Sequence, residues 1–357
     1  MDFIRITKRD NLSRKKEILI TLLAIVLSIV FAGIILLIFG LNPFEIFKEI
    51  IMGSVGTGLR VKQTIVKAVP LIITSMGIIV AFKMKFWNIG AEGQITMGAL
   101  GASWVALNLS PNLPQPVMLL LMMVGAAVCG GIWAFIPAIF KAKLGTNEII
   151  FTLMMNYVAI KFVTYLQYGP WMDPAANGFP KIAMFPDNAV MPKLGGVNIG
   201  WILAILAAAF VYFFMNYTKK GYEITVVGES IETARYAGMN ISRIIVVAML
   251  ISGGLCGITG MIQASAIEKT LVYGIANGYG FTAIITAWLS KLNAGYAVAV
   301  CAVFAMLIQG GQYIQIALGV PSAVSDIVQG LILFFVLGSE FFMRYRVHIG
   351  RNSKEVA

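Results

Sequence analysis

Histidine, cysteine and charge are the scarce commodities of this chain. Its one histidine, His348, falls in the C-terminal tail. The three cysteines, Cys129, Cys256 and Cys301, each sit inside apolar runs. They read as small hydrophobic residues, not as disulfide partners or metal ligands. No Cys/His cluster, nucleophile–base pair or complete phosphate-loop motif occurs, so catalysis by this chain is not expected. Charged residues make up 12%, against about 25% in soluble domains, and no extended polar region remains for a separate soluble domain. The basic N-terminus leads into a long apolar run with no small-residue cleavage pattern, which is expected to be an uncleaved first span.

What is present is apolar. Hydrophobic residues are 59% of the 357, which marks an all-α integral membrane protein. Hydropathy places about ten transmembrane helices, at 18–39, 63–82, 95–109, 117–140, 148–168, 199–217, 244–263, 278–290, 294–309 and 321–342. Residues 1–17 and 343–357 are then basic tails, and 18–342 is the transmembrane domain. The formal charge of +11 raises the possibility of nucleic-acid binding, but its distribution speaks for a membrane instead. The basic residues concentrate in inter-helix segments on one side, together with both tails, as the positive-inside rule produces. Both termini are therefore expected in the cytoplasm, with lipid and not nucleic acid as the surrounding partner.

Segment 41–62 reads as a short amphipathic helix on the outer surface. The run Gly53-Ser-Val-Gly-Thr-Gly58 inside it lacks the Lys-Ser/Thr of a nucleotide loop and reads as a flexible turn. The proline-bearing segment 169–198 reads as an irregular, partly rigid external loop. Glycines 125, 130, 131, 253, 254, 257 and 260 are expected to serve close helix packing.

Two apolar segments, 95–109 and 278–290, are too short to cross a bilayer as regular helices, since about 20 residues are needed. Each follows a Gly-broken stretch. The first is Phe86-Trp-Asn-Ile-Gly-Ala-Glu-Gly-Gln94, and the second is residues 274–284 around Asn277-Gly-Tyr-Gly-Phe281. Irregular backbone at membrane depth survives only where protein buries it or a wet cavity receives it. Paired broken helices at matching places imply an inverted repeat, here relating the second to fifth spans to the seventh to tenth, with the binding site between them. Trp87, Asn88, Gly90, Glu92, Gln94, Asn277, Gly278, Tyr279 and Phe281 are the candidate pathway residues. The amides and carboxylate offer hydrogen bonds, and Trp87 or Phe281 a stacking face. Glu92 has two open readings: pathway-lining, or a structural ion pair with Lys83 or Lys85.

The polar connection 218–243 contains a short helix, with Ser230 as its N-cap and Gly238 as its stop. So short a helix has little stability of its own and is expected to dock on something.

The stretch 86–94, the loop 228–238, Gly278-Tyr-Gly-Phe281-Thr-Ala-Ile284, and Asn147-Glu148 with Thr152-Leu-Met-Met-Asn156-Tyr157 together resemble the permease subunits of bacterial ABC importers. The resemblance covers roughly residues 18–342 and is to the nucleoside branch of the ribose and simple-sugar permeases. It implies a multi-pass protein of the bacterial cell membrane that moves nucleosides, purine nucleosides foremost, by alternating access. It implies as partners an ABC ATPase subunit, a second permease, identical or homologous, and an extracytoplasmic substrate-binding lipoprotein. ATP and Mg would be bound by the ATPase, with no cofactor on this chain. Gly228, Glu229, Ala234, Arg235, Ala237 and Gly238 would form the ATPase-coupling helix, although Ile224-Thr225-Val226 stands where the family often has an Arg. Sugar or autoinducer importers share all but the substrate. An ion-coupled secondary transporter would also use broken helices.

Overall fold

The computed structural model describes residues 4–8, 14–109, 112–321 and 323–349. The chain is mostly helical and divides into two compact units.

The first unit comprises the described residues of Met1–Arg60 and Met306–Ala357. Strand β1 (Ile4–Lys8) precedes helix α1 (Arg14–Ile38). Gly40, at φ 74°, closes α1, and its N–H reaches the Leu37 carbonyl at 2.9 Å. Asn42 then caps α2 (Pro43–Val55) by accepting from Phe44 N–H at 3.1 Å, with Pro43 fitted to the first helical position. The two helices are bent by 116° at this break. Expected as a helix lying on the membrane surface, α2 instead buries Ile46 and Ile50 in a core with Leu36, Ile314, Val320 and Val324. Gly53 is helical and not part of a flexible turn: it lies so near Tyr313 that a Cβ would sit 2.5 Å from the tyrosine Cβ.

The second unit is Val61–Ala305. In it lie most of α3 (Gly58–Lys83), then α4 (Ala91–Asn108), α5 (Gln115–Leu144) and α6 (Glu148–Tyr168). The strands β2 (Lys193–Leu194) and β3 (Val197–Asn198) form a small hairpin in the external loop. After it come α7 (Gly200–Tyr217), α8 (Lys219–Glu229), α9 (Ile231–Tyr236) and α10 (Ile241–Ile262). A π-helical turn, Gln263–Glu268, extends α10 into residues expected to lie outside the membrane, and α11 (Tyr279–Leu289) follows. Helix α12 (Ala294–Leu318) passes from the second unit into the first, where α13 (Ala323–Arg344) and β4 (Tyr345–Ile349) complete the chain. The segments expected as basic tails thus include β1 and β4, which pair antiparallel, while residues 350–357 and 9–13 lie outside the described residues.

Helix α4 sits at the centre of the second unit against α5, α6 and α10. Small residues allow this. A Cβ on Gly98 would overlap the Gly257 backbone, one on Gly130 the Gly253 carbonyl, and one on Gly260 the Ile95 carbonyl. Backbone-on-backbone approach of this kind is how membrane helices associate without a hydrophobic driving force. Gly131 and Gly254, also expected as packing residues, have ordinary van der Waals room, with nearest neighbours at 3.5 and 3.6 Å.

Among the described residues, six helices, α3, α5, α6, α7, α10 with its π turn, and α12, are long and apolar enough to cross a membrane, or seven if the bent α1–α2 pair is one span. The ten expected segments also include α4, α11 and α13. Helix α4 has the length, 18 residues, but its first turns carry Glu92, Gln94 and Thr96. Helix α11, with 11 residues, rises only about 16 Å.

Candidate functional site

The backbone between α3 and α4 leaves regular structure at Lys85, whose φ is 57°, and resumes it at Ala91. Its polar groups are met by side chains. Asn88 and Gln94 pair reciprocally: Asn88 Nδ2 donates to Gln94 Oε1 at 3.1 Å, and Gln94 Nε2 donates to Asn88 Oδ1 at 3.0 Å. Asn88 also donates to Ser252 Oγ of α10 at 3.1 Å and accepts from Gly90 N–H at 3.1 Å. From α6, Thr152 Oγ1 accepts from Ile89 N–H at 3.2 Å. Asn156 bridges the break, accepting from Gly93 N–H at 2.8 Å and donating to the Ile89 carbonyl at 2.9 Å. Thr152 and Asn156 are four residues apart, one turn of α6, so both reach the same backbone. Gly90 and Gly93 suit these approaches, since added Cβ atoms would stand in tight contact, 3.0 Å from Thr152 Cβ and Asn156 Cα.

Glu92 is 4% exposed, and its Oε1 accepts from Gly280 N–H at 3.0 Å. The carboxylate therefore lies between the first turns of α4 and α11, whose N-terminal dipoles both favour a negative charge. Among the described residues, neither Lys83 nor Lys85 comes within ion-pair distance of it. The contact needs a glycine, because a Cβ on Gly280 would stand 2.5 Å from the Glu92 nitrogen. Asn277 and Gly278, at φ 47° and 77°, form the exposed left-handed turn that starts α11.

At the far end of α11, Trp288 stacks on Trp87, with ring centroids 5.2 Å apart and planes at 23°. Phe82 meets Trp87 edge-on at 5.1 Å. Helix α11 thus runs alongside the broken stretch, touching Glu92 at one end and Trp87 at the other. Trp288 was not among the residues singled out from sequence. The available signal was its position seven residues after Phe281, on the same helix face. Phe281 is 46% exposed, whereas Tyr279 is 1% exposed.

The expected coupling residues fall on two helices and the turns around them. Gly228 and Glu229 end α8, while Ala234 and Arg235 belong to α9. Ser230 caps α9, accepting from Thr233 N–H at 3.2 Å, and Gly238, at φ 72°, follows Ala237 beyond its end. Ala234 is buried, whereas Ile231 and Tyr236 are exposed, Tyr236 at 96%. Gly228 packs directly on the end of α3: a Cβ would overlap the Lys83 carbonyl oxygen and stand 3.1 Å from Met84 Cα. The turn that begins the broken stretch is therefore seated on α8.

A model of the family described as branched-chain amino acid transport system / permease component matches residues 60–337, more than three quarters of the chain. The chain belongs to this permease family. The permease is 34% identical over 340 residues to the glucose ABC transporter permease protein TsgB13 of Haloferax volcanii, covering 92% of this chain and 89% of that one. It is 32% identical over 338 residues to the guanosine ABC transporter permease protein NupP of Bacillus subtilis, covering 91% and 94%. With the nucleoside ABC transporter permease protein NupB of Lactococcus lactis it shares 29% over 335 residues, covering 91% and 92%. It is thus a multi-pass membrane permease of an ABC transporter, and ATP hydrolysis belongs to a separate ATPase subunit. The family also implies a substrate-binding partner.

Proposed function

We propose that this permease forms the import pathway for nucleosides, purine nucleosides foremost, across the cell membrane, with both termini in the cytoplasm. The supporting observation is that two relatives similar along nearly the whole chain carry guanosine or nucleoside in their names. In this reading the membrane domain has ten segments in two inverted halves, α3–α6 and α10–α13, with α4 and α11 the short broken members. The meeting of their first turns at Glu92 and Gly280 supports that arrangement. The pathway runs beside the junction of residues 86–94 and 274–284. Asn88 and Gln94 hold one another, and Asn88 also holds Ser252 and the Gly90 N–H, so they set the break's shape, and the aromatic faces of Trp87 and Phe281 border the route.

The working complex contains a second permease subunit, two ATPases and an extracytoplasmic binding lipoprotein. ATP-driven closure of the ATPases moves α9, and α8 passes the displacement through Gly228 to the Lys83–Met84 turn. The two halves then open the site alternately to each side. The test is uptake of labelled guanosine into cells expressing the full transporter. Glu92→Ala removes the acceptor that joins α4 to α11 and should abolish uptake while the ATPase still co-purifies. Wild-type uptake by that variant would overturn the site.

Hexose is the second reading, favoured by the 34% identity to the glucose permease. Competition of guanosine uptake by free glucose separates the two.

A further inference from the structure

Among the described residues, Thr146 Oγ1, Asn198 Oδ1, Gln263 Oε1 and the Tyr279 hydroxyl are buried side-chain polar atoms with no protein hydrogen-bond partner. The last two are neighbours, with the Tyr279 hydroxyl beside the Gln263 side chain but short of a proper hydrogen bond to Oε1. Gln263 is 4% exposed and Tyr279 1%. Buried amides and hydroxyls are almost always paired, and one left unpaired calls for an explanation. The polar groups of the 86–94 break make a contrast: Asn88, Gln94, Thr152, Asn156 and Glu92 all have partners.

The backbone at both residues is irregular as well. Gln263 opens the π-helical turn Gln263–Glu268, a form that occurs mostly as single turns and often at functional sites. Tyr279 opens α11 directly after the left-handed Asn277–Gly278 pair, one residue before the Gly280 N–H that binds Glu92. The pair thus adjoins the junction of the two broken segments, with an amide acceptor and a hydroxyl that both donates and accepts.

We infer that Gln263 and Tyr279 form a polar subsite that reads a hydroxyl or amino group of the transported solute. Gln263 Oε1 accepts from that group and the Tyr279 hydroxyl completes its hydrogen bonding. Such a site selects strongly, because a solute lacking the group leaves both protein atoms buried and unpaired. The inference rests on the importer reading above and names the residues that would give it chemical selectivity.

The test measures initial uptake of labelled guanosine and of labelled glucose by the full transporter, wild type and with Tyr279→Phe or Gln263→Met. Competition by analogues lacking single groups follows: 2′-deoxyguanosine and inosine for the nucleoside, 1-deoxyglucose and 2-deoxyglucose for the hexose. Wild type should discriminate against one analogue by about tenfold or more, and both variants should lose that discrimination. The readout is a ratio within each variant, so a lower folding yield cancels. Retained discrimination in both variants overturns the subsite, as does a wild type indifferent to every analogue. The amide and hydroxyl then serve the fold or a bound water only. Uptake of glucose but not guanosine would refute the nucleoside reading, and the glucose analogues would then decide the subsite. Uptake of neither overturns both.

Discussion

Gly228→Ala should uncouple transport from ATP hydrolysis. The glycine lies on α8 at the end of α3, where an added methyl would overlap the Lys83 carbonyl oxygen and crowd Lys83 C and Met84 Cα at 3.0 and 3.1 Å. Carbon contacts settle at about 3.5–4.0 Å, so α8 or the Lys83–Met84 turn must give way. Overpacking of this kind costs about 1–3 kcal/mol. The displaced turn leads directly into residues 86–94, so the strain falls on the link between the inward helices and the broken stretch. If that link carries the coupling, a loss of 1–3 kcal/mol corresponds to roughly 5–150-fold. Gly238 is the internal control. It belongs to the same segment, yet nothing lies within 4 Å of its would-be Cβ, and its φ of 72° is its only constraint. Gly238→Ala should cost about 1–2 kcal/mol of local strain without moving α3. The assay compares substrate uptake with ATP hydrolysis by the assembled transporter in vesicles. Gly228→Ala is expected to depress uptake at least tenfold with the ATPase still bound and hydrolysing, and Gly238→Ala to depress it far less. Equal effects from both, or wild-type uptake by Gly228→Ala, would refute the reasoning.

Asn156→Leu should lower the thermal midpoint of the purified permease by several degrees. It strands Gly93 N–H and the Ile89 carbonyl, each costing about 1–3 kcal/mol, and Asn156→Asp should keep only the first bond. Lys141→Met should cost more than the roughly 1 kcal/mol ceiling of a surface pair, because it removes the 2.7 Å partner of Glu148, whose side chain is only 10% exposed. A lowered melting midpoint is the expected result, and a curve indistinguishable from wild type would count against it. Gly257→Val should wedge α10 away from α5, since even a Cβ would overlap the Ala126 carbonyl, and chain levels in the membrane should fall sharply. Trp288→Ala should weaken uptake by removing the ring stacked on Trp87 while leaving the Glu92–Gly280 bond, and undiminished uptake would count against a role for the aromatic cluster.

The sequence by itself determined where two helices break, at 86–94 and 274–284, and which residues bound the short inward helix α9. Hydropathy runs and Gly, Asn and Ser positions are local properties, so Ser230 as a cap, Gly238 as a stop and the short segments at 95–109 and 278–290 were legible in one dimension. Span number was less legible, because helices buried within protein tolerate polar residues that a lipid-facing helix would not, as the first turns of α4 do. The short helix expected within 41–62 formed as α2, but amphipathicity marks an apolar face and not what covers it: Ile46 and Ile50 are covered by protein, while Phe44 and Ile51 are exposed. The roles of polar residues belonged to the tertiary structure alone. Asn88 and Gln94 turned out to hold each other, Asn156 to hold the broken backbone, and Glu92 to join α4 to α11 in place of a lysine partner. Hydrogen bonds between residues as far apart as Glu92 and Gly280 leave no spacing in the sequence, since their geometry exists only once α4 and α11 meet.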